Sequence, residues 1–191
     1  MGWPVVARSD SPAATKEFAA RLAGLCVAGD VILLIGDLGA GKTAFAQGFA
    51  AALGVEGPVT SPTFALVRQY RCGDDAVVET LIHADVYRTG TIGEVVELAL
   101  AELVEERAIA LVEWGDMAAP AFGEDALEVT LALSDPDPDP DADAEADADA
   151  EADADGSAEE RIISLTGRGR WLDRAGDVGR ALAAPSARVA P

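Results

Sequence analysis

Val31-Ile32-Leu33-Leu34-Ile35-Gly36-Asp37-Leu38-Gly39-Ala40-Gly41-Lys42-Thr43 is the stretch on which the fold turns. It opens with five consecutive apolar residues, a short β-branched run that suits a strand buried on both faces. It closes as G-x-x-x-x-G-K-T, after which Phe45, Phe49 and Leu53 recur at helical spacing until Gly54 stops them. Each part has a physical use. The glycines let backbone N–H groups turn inward and approach phosphate oxygens. The helix behind them adds its free N–H groups and the positive end of its dipole. Lys42 is placed to reach terminal phosphates, and Thr43 to give an oxygen to Mg2+. In a chain with 19 Gly and two lysines, such a match arises by chance about 0.002 times. A nucleotide-phosphate site is therefore expected along Asp37, Gly39, Ala40, Gly41, Lys42, Thr43 and Ala44, with Lys42 on a loop outside the core.

Charge divides the chain around this stretch. The 191 residues carry 34 acids and 14 bases, a net charge of −20. Thirteen of the acids lie in residues 135–160, without a single Lys or Arg; the remainder is only mildly acidic. That segment is mostly Asp-Pro, Asp-Ala and Glu-Ala repeats, with no aromatic or β-branched residue, and cannot bury enough area to order itself. Such a chain does not grip nucleic acid unaided. No apolar run nears the 18 residues of a membrane span. Cys26, Cys72 and one histidine make neither a disulfide framework nor a zinc site, which fits free thiols in a reducing cytoplasm.

Outward from the loop, strands and helices alternate. Val5 to Ala7 reads as a short strand, and Ser11-Pro12 opens a helix with Phe18, Leu22 and Leu25 on its buried face. Residues 63–71 and 76–85 form a plausible hairpin around Gly73-Asp74-Asp75. Val96, Leu100 and Leu103 mark a helix over 92–106, and Ala108 to Val112 is another apolar strand. Leu127 to Leu133 and Arg161 to Leu165 alternate as paired strands flanking the acidic segment. The fold expected is α/β, a sheet flanked by helices as in P-loop NTPases, with an antiparallel hairpin region. One domain would comprise residues 1–134 and 161–166, with an acidic hairpin insertion at 135–160 and a flexible tail at 167–191.

A phosphate loop does not name the reaction. Guanine recognition in familiar GTPases needs an Asn-containing motif, and this chain has no Asn; ATP is the nucleotide left. Mg2+ needs an acid at the end of a neighbouring strand, and Asp85 and Glu113 both qualify. Thr60-Ser61-Pro62-Thr63 reads either as a switch near the γ-phosphate or as an ordinary turn into a strand. His83, the lone imidazole, reads first as a strand histidine. Trp114 either packs under a ligand or covers the sheet edge. A small-molecule kinase would use the same loop, but it usually brings an arginine-bearing lid, and no Arg or Lys lies between Arg107 and Arg161. A nucleotide-gated binding module with little turnover is the other alternative.

The ordered set Gly36 to Thr43 (GDLGAGKT), Thr60 to Phe64 (TSPTF), His83 to Arg88 (HADVYR) and Glu113-Trp114 closely resembles the TsaE (YjeE) family of small bacterial P-loop ATPases, from about residue 10 to 133. The resemblance implies a slow ATPase that works with TsaB and TsaD in forming threonylcarbamoyladenosine on tRNA. It implies that Lys42 and Thr43 bind phosphate and Mg2+, that Glu113 is the second acid at the metal, and that Asp85 positions the attacking water. Ser61 and Thr63 would lie in the nucleotide-sensing switch, with Trp114 beside the site and Arg88 at partner contacts. tRNA would be met only through the complex. The acidic insertion, the C-terminal tail and Gly115, where a proline is often found, depart from the family pattern.

Overall fold

The computed structural model describes residues 5–62, 65–87, 107–119, 125–134 and 160–183. Within them lie seven strands: β1 (Val5–Ser9), β2 (Val31–Ile35), β3 (Val67–Arg71), β4 (Thr80–Asp85), β5 (Ala108–Glu113), β6 (Leu127–Leu133) and β7 (Arg161–Gly167). They form one sheet in the order β1-β7-β6-β2-β5-β4-β3. The four central strands, β6, β2, β5 and β4, run parallel, while β3, β7 and β1 pair antiparallel at the flanks. β2, the Val31–Ile35 run, is the middle strand, buried from Val31 to Leu34. The α/β sheet with an antiparallel hairpin at one edge is the expected architecture.

Among the described residues, two helices cover the centre of one face. α1 (Pro12–Ala23) is capped by Ser11, whose hydroxyl accepts from Ala14 N at 3.2 Å, and Pro12 occupies its first turn. α2 (Lys42–Ala52) turns Phe45 and Phe49 into the core that holds Leu22 of α1 and Ile32, Leu34 and Leu111 of the sheet. The helices nearly touch at Gly48, where a Cβ would meet the carbonyl oxygen of Lys16 at 2.2 Å. Only glycine permits that approach. α1 ends before Leu25, which packs on the core edge from the following turn. On the opposite face Val31, Leu33, Ile82, Ala84, Ala110 and Val112 form a second apolar layer, and the short α3 (Gly115–Ala118) packs on β2.

The expectation of a loose tail after residue 166 fails over Trp171–Ala183, which form helix α4. Trp171, Val178 and Leu182 recur on one face and are buried, and the helix packs on α1 and β7. Arg174 lies over the Trp171 ring and donates to both carboxylate oxygens of the fully buried Asp30, at 2.8 and 2.9 Å. A Gly- and Arg-rich composition concealed that periodicity. β7 also runs one residue past the expected boundary, to Gly167.

β6 and β7 pair from Leu127↔Gly167 to Leu133↔Arg161, and Ser134 N donates to Glu160 O at 2.8 Å. The hairpin therefore closes at the root of the acidic insertion. Residues 135–159, the expected helix over 92–106 and the tail beyond Ala183 lie outside the described residues. Among the described residues, no helix is long and apolar enough to cross a membrane.

Candidate functional site

Parallel pairing brings the C-terminal ends of β2, β5 and β4 to one edge of the sheet, where open α/β sheets present ligand crevices. Asp85 and Glu113 are paired in register at the ends of β4 and β5, and Leu34 of β2 stands opposite Glu113. The glycine loop leaves β2 at the same edge. A cleft of about 450 Å³ results, lined by Leu38, Gly39, Gly41, Lys42, Thr43, Ala44, Ser61, Asp85, Tyr87, Glu113 and Trp114.

Close packing fixes the loop. A Cβ at Gly36 would lie 2.2 Å from the carbonyl oxygen of Leu131, so β6 leaves no room for a side chain there. Gly41 enters α2 at φ 105°, a conformation that disfavours other residues. Lys42, expected outside the core, is the first residue of α2 and only 6% exposed. Its Nζ donates to the carbonyl oxygens of Gly36 at 2.6 Å and Asp37 at 2.8 Å, and stands 4.0 Å from the centroid of the Trp114 ring. Burial pushes the Lys42 ammonium below its ordinary pKa, while the Glu113, Asp85, Asp37 and Asp116 carboxylates pull it back up.

The two strand-end acids differ in their surroundings. Asp85 Oδ2 accepts from Ser61 Oγ at 2.9 Å, and Oδ1 accepts from Tyr87 N at 3.0 Å. The Thr60-Ser61-Pro62 turn is thus tied directly to an acid of the cleft. Glu113 instead meets His83: Nε2 to Oε1 is 3.0 Å, in a pair that is almost wholly buried. Trp114 follows Glu113 with φ 60° and ψ 45°, a left-handed conformation that costs a non-glycine residue about 1–2 kcal/mol. Its ring is held between Lys42 and Tyr87, whose ring centroid is 4.4 Å away. Such strain at the mouth of a cleft marks a candidate functional position.

Most of the expected site converges. Gly39, Gly41, Lys42, Thr43, Ala44, Ser61, Asp85, Glu113 and Trp114 share the cleft. Two loop residues do not line it. Ala40 turns its methyl group into the core, and its N–H goes to the Asp37 carbonyl at 3.2 Å; Asp37 contributes that carbonyl and its charge. Thr63 and Arg88 lie outside the described residues. Sequence reasoning left Tyr87 in its motif without a role, and it passed over Leu38, the His83–Glu113 bond and Arg161, whose side chain lies 3.4 Å from where a Gly41 Cβ would stand. A signal existed for His83 and Tyr87: each is two residues from Asp85, and His83 therefore shares its sheet face.

Chemically, the cleft sets one buried cation and two buried carboxylates around a glycine loop. Among the described residues, no three or more His, Cys, Asp or Glu form a metal cage. A Mg2+ held here would rely on the Thr43 hydroxyl, one or two carboxylates and phosphate oxygens, the hard-oxygen donor set that this ion takes with nucleotides.

A family model described as threonylcarbamoyl adenosine biosynthesis protein TsaE matches residues 9–138. The tRNA threonylcarbamoyladenosine biosynthesis protein TsaE of Bacillus subtilis (strain 168) is 38% identical over 124 residues, spanning 65% of this chain and 75% of that one. Its counterpart from Streptomyces coelicolor is 39% identical over 117 residues, spanning 61% and 77%. The crystal structure of Bacillus subtilis YdiB superposes with a TM-score of 0.67 at 27% identity, covering 94% of this chain and 97% of that one.

Proposed function

The chain belongs to the TsaE family, and from that premise we propose that it binds and hydrolyses Mg-ATP to drive the cycle of a TsaB–TsaD complex in the cytoplasm. Its general role is in the threonylcarbamoyladenosine modification of tRNA. The observation that carries the ATPase reading is the convergence of Lys42, Asp85 and Glu113 on the cleft behind one glycine loop. Lys42 binds the terminal phosphates, where a fixed ammonium offsets charge as it develops on the transferring group. Thr43 and Glu113 hold Mg2+, which neutralises phosphate charge when bound. Asp85, already oriented by Ser61 and the Tyr87 N–H, positions the attacking water. Trp114 covers the cleft beside Lys42.

A chain of net charge −20 gains nothing from tRNA phosphates directly, so RNA is reached through partners. The test combines Mg-ATP calorimetry on the isolated chain with a pull-down in the presence and absence of ATP. Mg-dependent ATP binding, with nucleotide-dependent recovery of TsaB and TsaD, supports the proposal. Absence of ATP binding overturns the ATPase reading, and nucleotide-independent failure to recover those partners overturns the complex.

A further inference from the structure

The phosphate-loop reading uses Lys42, Thr43, Asp85 and Glu113 but leaves His83 without a task. Its position is specific. His83 sits in β4 two residues before Asp85, on the sheet face shared with Glu113, and is fully buried. Nε2 lies 3.0 Å from Glu113 Oε1, whereas Nδ1 is buried and has no partner among the described residues. That asymmetry assigns the hydrogen. A hydrogen on Nδ1 would be a buried donor with nothing to accept it, which costs more than a bare nitrogen there. Nε2 therefore carries the N–H and donates it to Glu113.

We infer that His83 is a positioning residue: its Nε2–H pins Oε1 of Glu113, so that the carboxylate presents Oε2 to the cleft as the oxygen for Mg2+. The inference rests on the proposed Mg-ATP site. Its physical basis is the cost of the alternative. Glu113 is 3% exposed, and a buried carboxylate oxygen left without its donor must reorient to find another, which disarms a metal ligand. Partners that hold a ligand in orientation matter to metal affinity nearly as much as the ligand itself. A merely packed histidine would need no bond to this particular acid; Tyr70, whose ring is 6.5 Å from the imidazole, supplies packing of that kind.

The test compares His83→Gln with His83→Leu in the full chain at constant pH. Glutamine keeps an N–H three bonds beyond Cβ, near the place of Nε2, whereas leucine keeps only bulk. Calorimetry measures ATP binding across a Mg2+ titration, and thermal unfolding is recorded alongside. The Mg2+ concentration for half-maximal enhancement of ATP binding should rise about tenfold or more in the leucine variant. It should stay within about threefold of the parent in the glutamine variant, and ATP binding without Mg2+ should be equal in all three. Should the leucine variant fail to fold, His83→Asn replaces it, because its amide is one bond too short to reach Glu113. A leucine or asparagine variant with the parent Mg2+ dependence overturns the inference and leaves the nucleotide site standing. So does a glutamine variant shifted as far as leucine, because loss of shape would then account for both. If the parent binds ATP without Mg2+ dependence, the inference and the metal assignment fall together. If it binds no ATP at all, the proposed function falls with them.

Discussion

Lys42 Nζ lies 4.0 Å from the centroid of the Trp114 ring while donating to the carbonyl oxygens of Gly36 and Asp37. Two of the three N–H groups are thus committed to its own loop and the charge faces the aromatic cover, so a phosphate bound as proposed would compete with those partners. Charged hydrogen bonds to phosphate are stronger than bonds to neutral carbonyls, which makes the exchange favourable.

Replacing Lys42 with alanine should lower Mg-ATP affinity by about tenfold to a hundredfold, the value of one charged hydrogen bond. Because the side chain bonds only to the loop, the helix and sheet should persist. Isothermal titration and far-UV circular dichroism check the two halves. Parental affinity together with parental hydrolysis would remove Lys42 from the site.

Asp85→Asn should separate hydrolysis from binding. The amide keeps the shape of the carboxylate but cannot take a proton from water, which should lower single-turnover hydrolysis about a hundredfold. Mg-ATP affinity should hold or rise, since one negative charge leaves a site crowded with phosphate. Ser61→Ala removes the hydroxyl that donates to Oδ2 and should fall between parent and Asp85→Asn. Rapid-quench measurements with partners present give the order of the three rates.

Gly115→Ala should destabilise the fold by about 1–3 kcal/mol, the usual cost of forcing extra volume into a packed core. A Cβ at Gly115 would stand 2.5 Å from Leu33 Cβ and 2.8 Å from its Cα, so α3 and β2 would have to separate. Since Glu113 and Trp114 immediately precede that corner, Mg-ATP affinity should drop as well. Urea unfolding monitored by fluorescence measures the first effect. An unchanged midpoint would mean that the corner yields freely.

Arg174→Ala should cost about 3 kcal/mol, because it leaves the Asp30 carboxylate buried without its counter-charge. The side chain of Arg174 is 23% exposed, which holds the cost at the low end for a buried pair. Arg174→Lys should recover only part of it. A single ammonium cannot reproduce the planar fork that reaches both Asp30 oxygens and the Leu25 carbonyl. Equal unfolding midpoints for parent and alanine variant would return residues 171–183 to the status of a loose tail.

Val31 to Thr43 announced strand, loop and helix because each depends on local rules: five apolar residues for a buried strand, glycines for inward-facing N–H groups, a 3.6-residue period for α2. The hairpin of β3 and β4 and the pairing of β6 with β7 were legible for the same reason, alternation and turn chemistry being encoded over a few residues. α4 was not. Its apolar residues are interrupted by two Asp, two Arg and two Gly in a Gly- and Arg-rich stretch, and the face carrying Trp171, Val178 and Leu182 finds its burial only against α1 and β7.

The candidate site divides along the same line. Sequence by itself determined which residues could do phosphate chemistry, since Gly36 to Thr43, Asp85 and Glu113 carry the side chains and spacings that a nucleotide and Mg2+ require. Only the tertiary structure decided how they meet. Parallel pairing sets Asp85 beside Glu113, the left-handed turn at Trp114 lays its ring over Lys42, and the shared sheet face gives Glu113 its donor in His83. These relations join residues from 28 to 72 positions apart. Strand order, not local propensity, fixes which distant side chains share a face, because hydrogen-bond register between strands is a property of the folded sheet and of no single segment of chain.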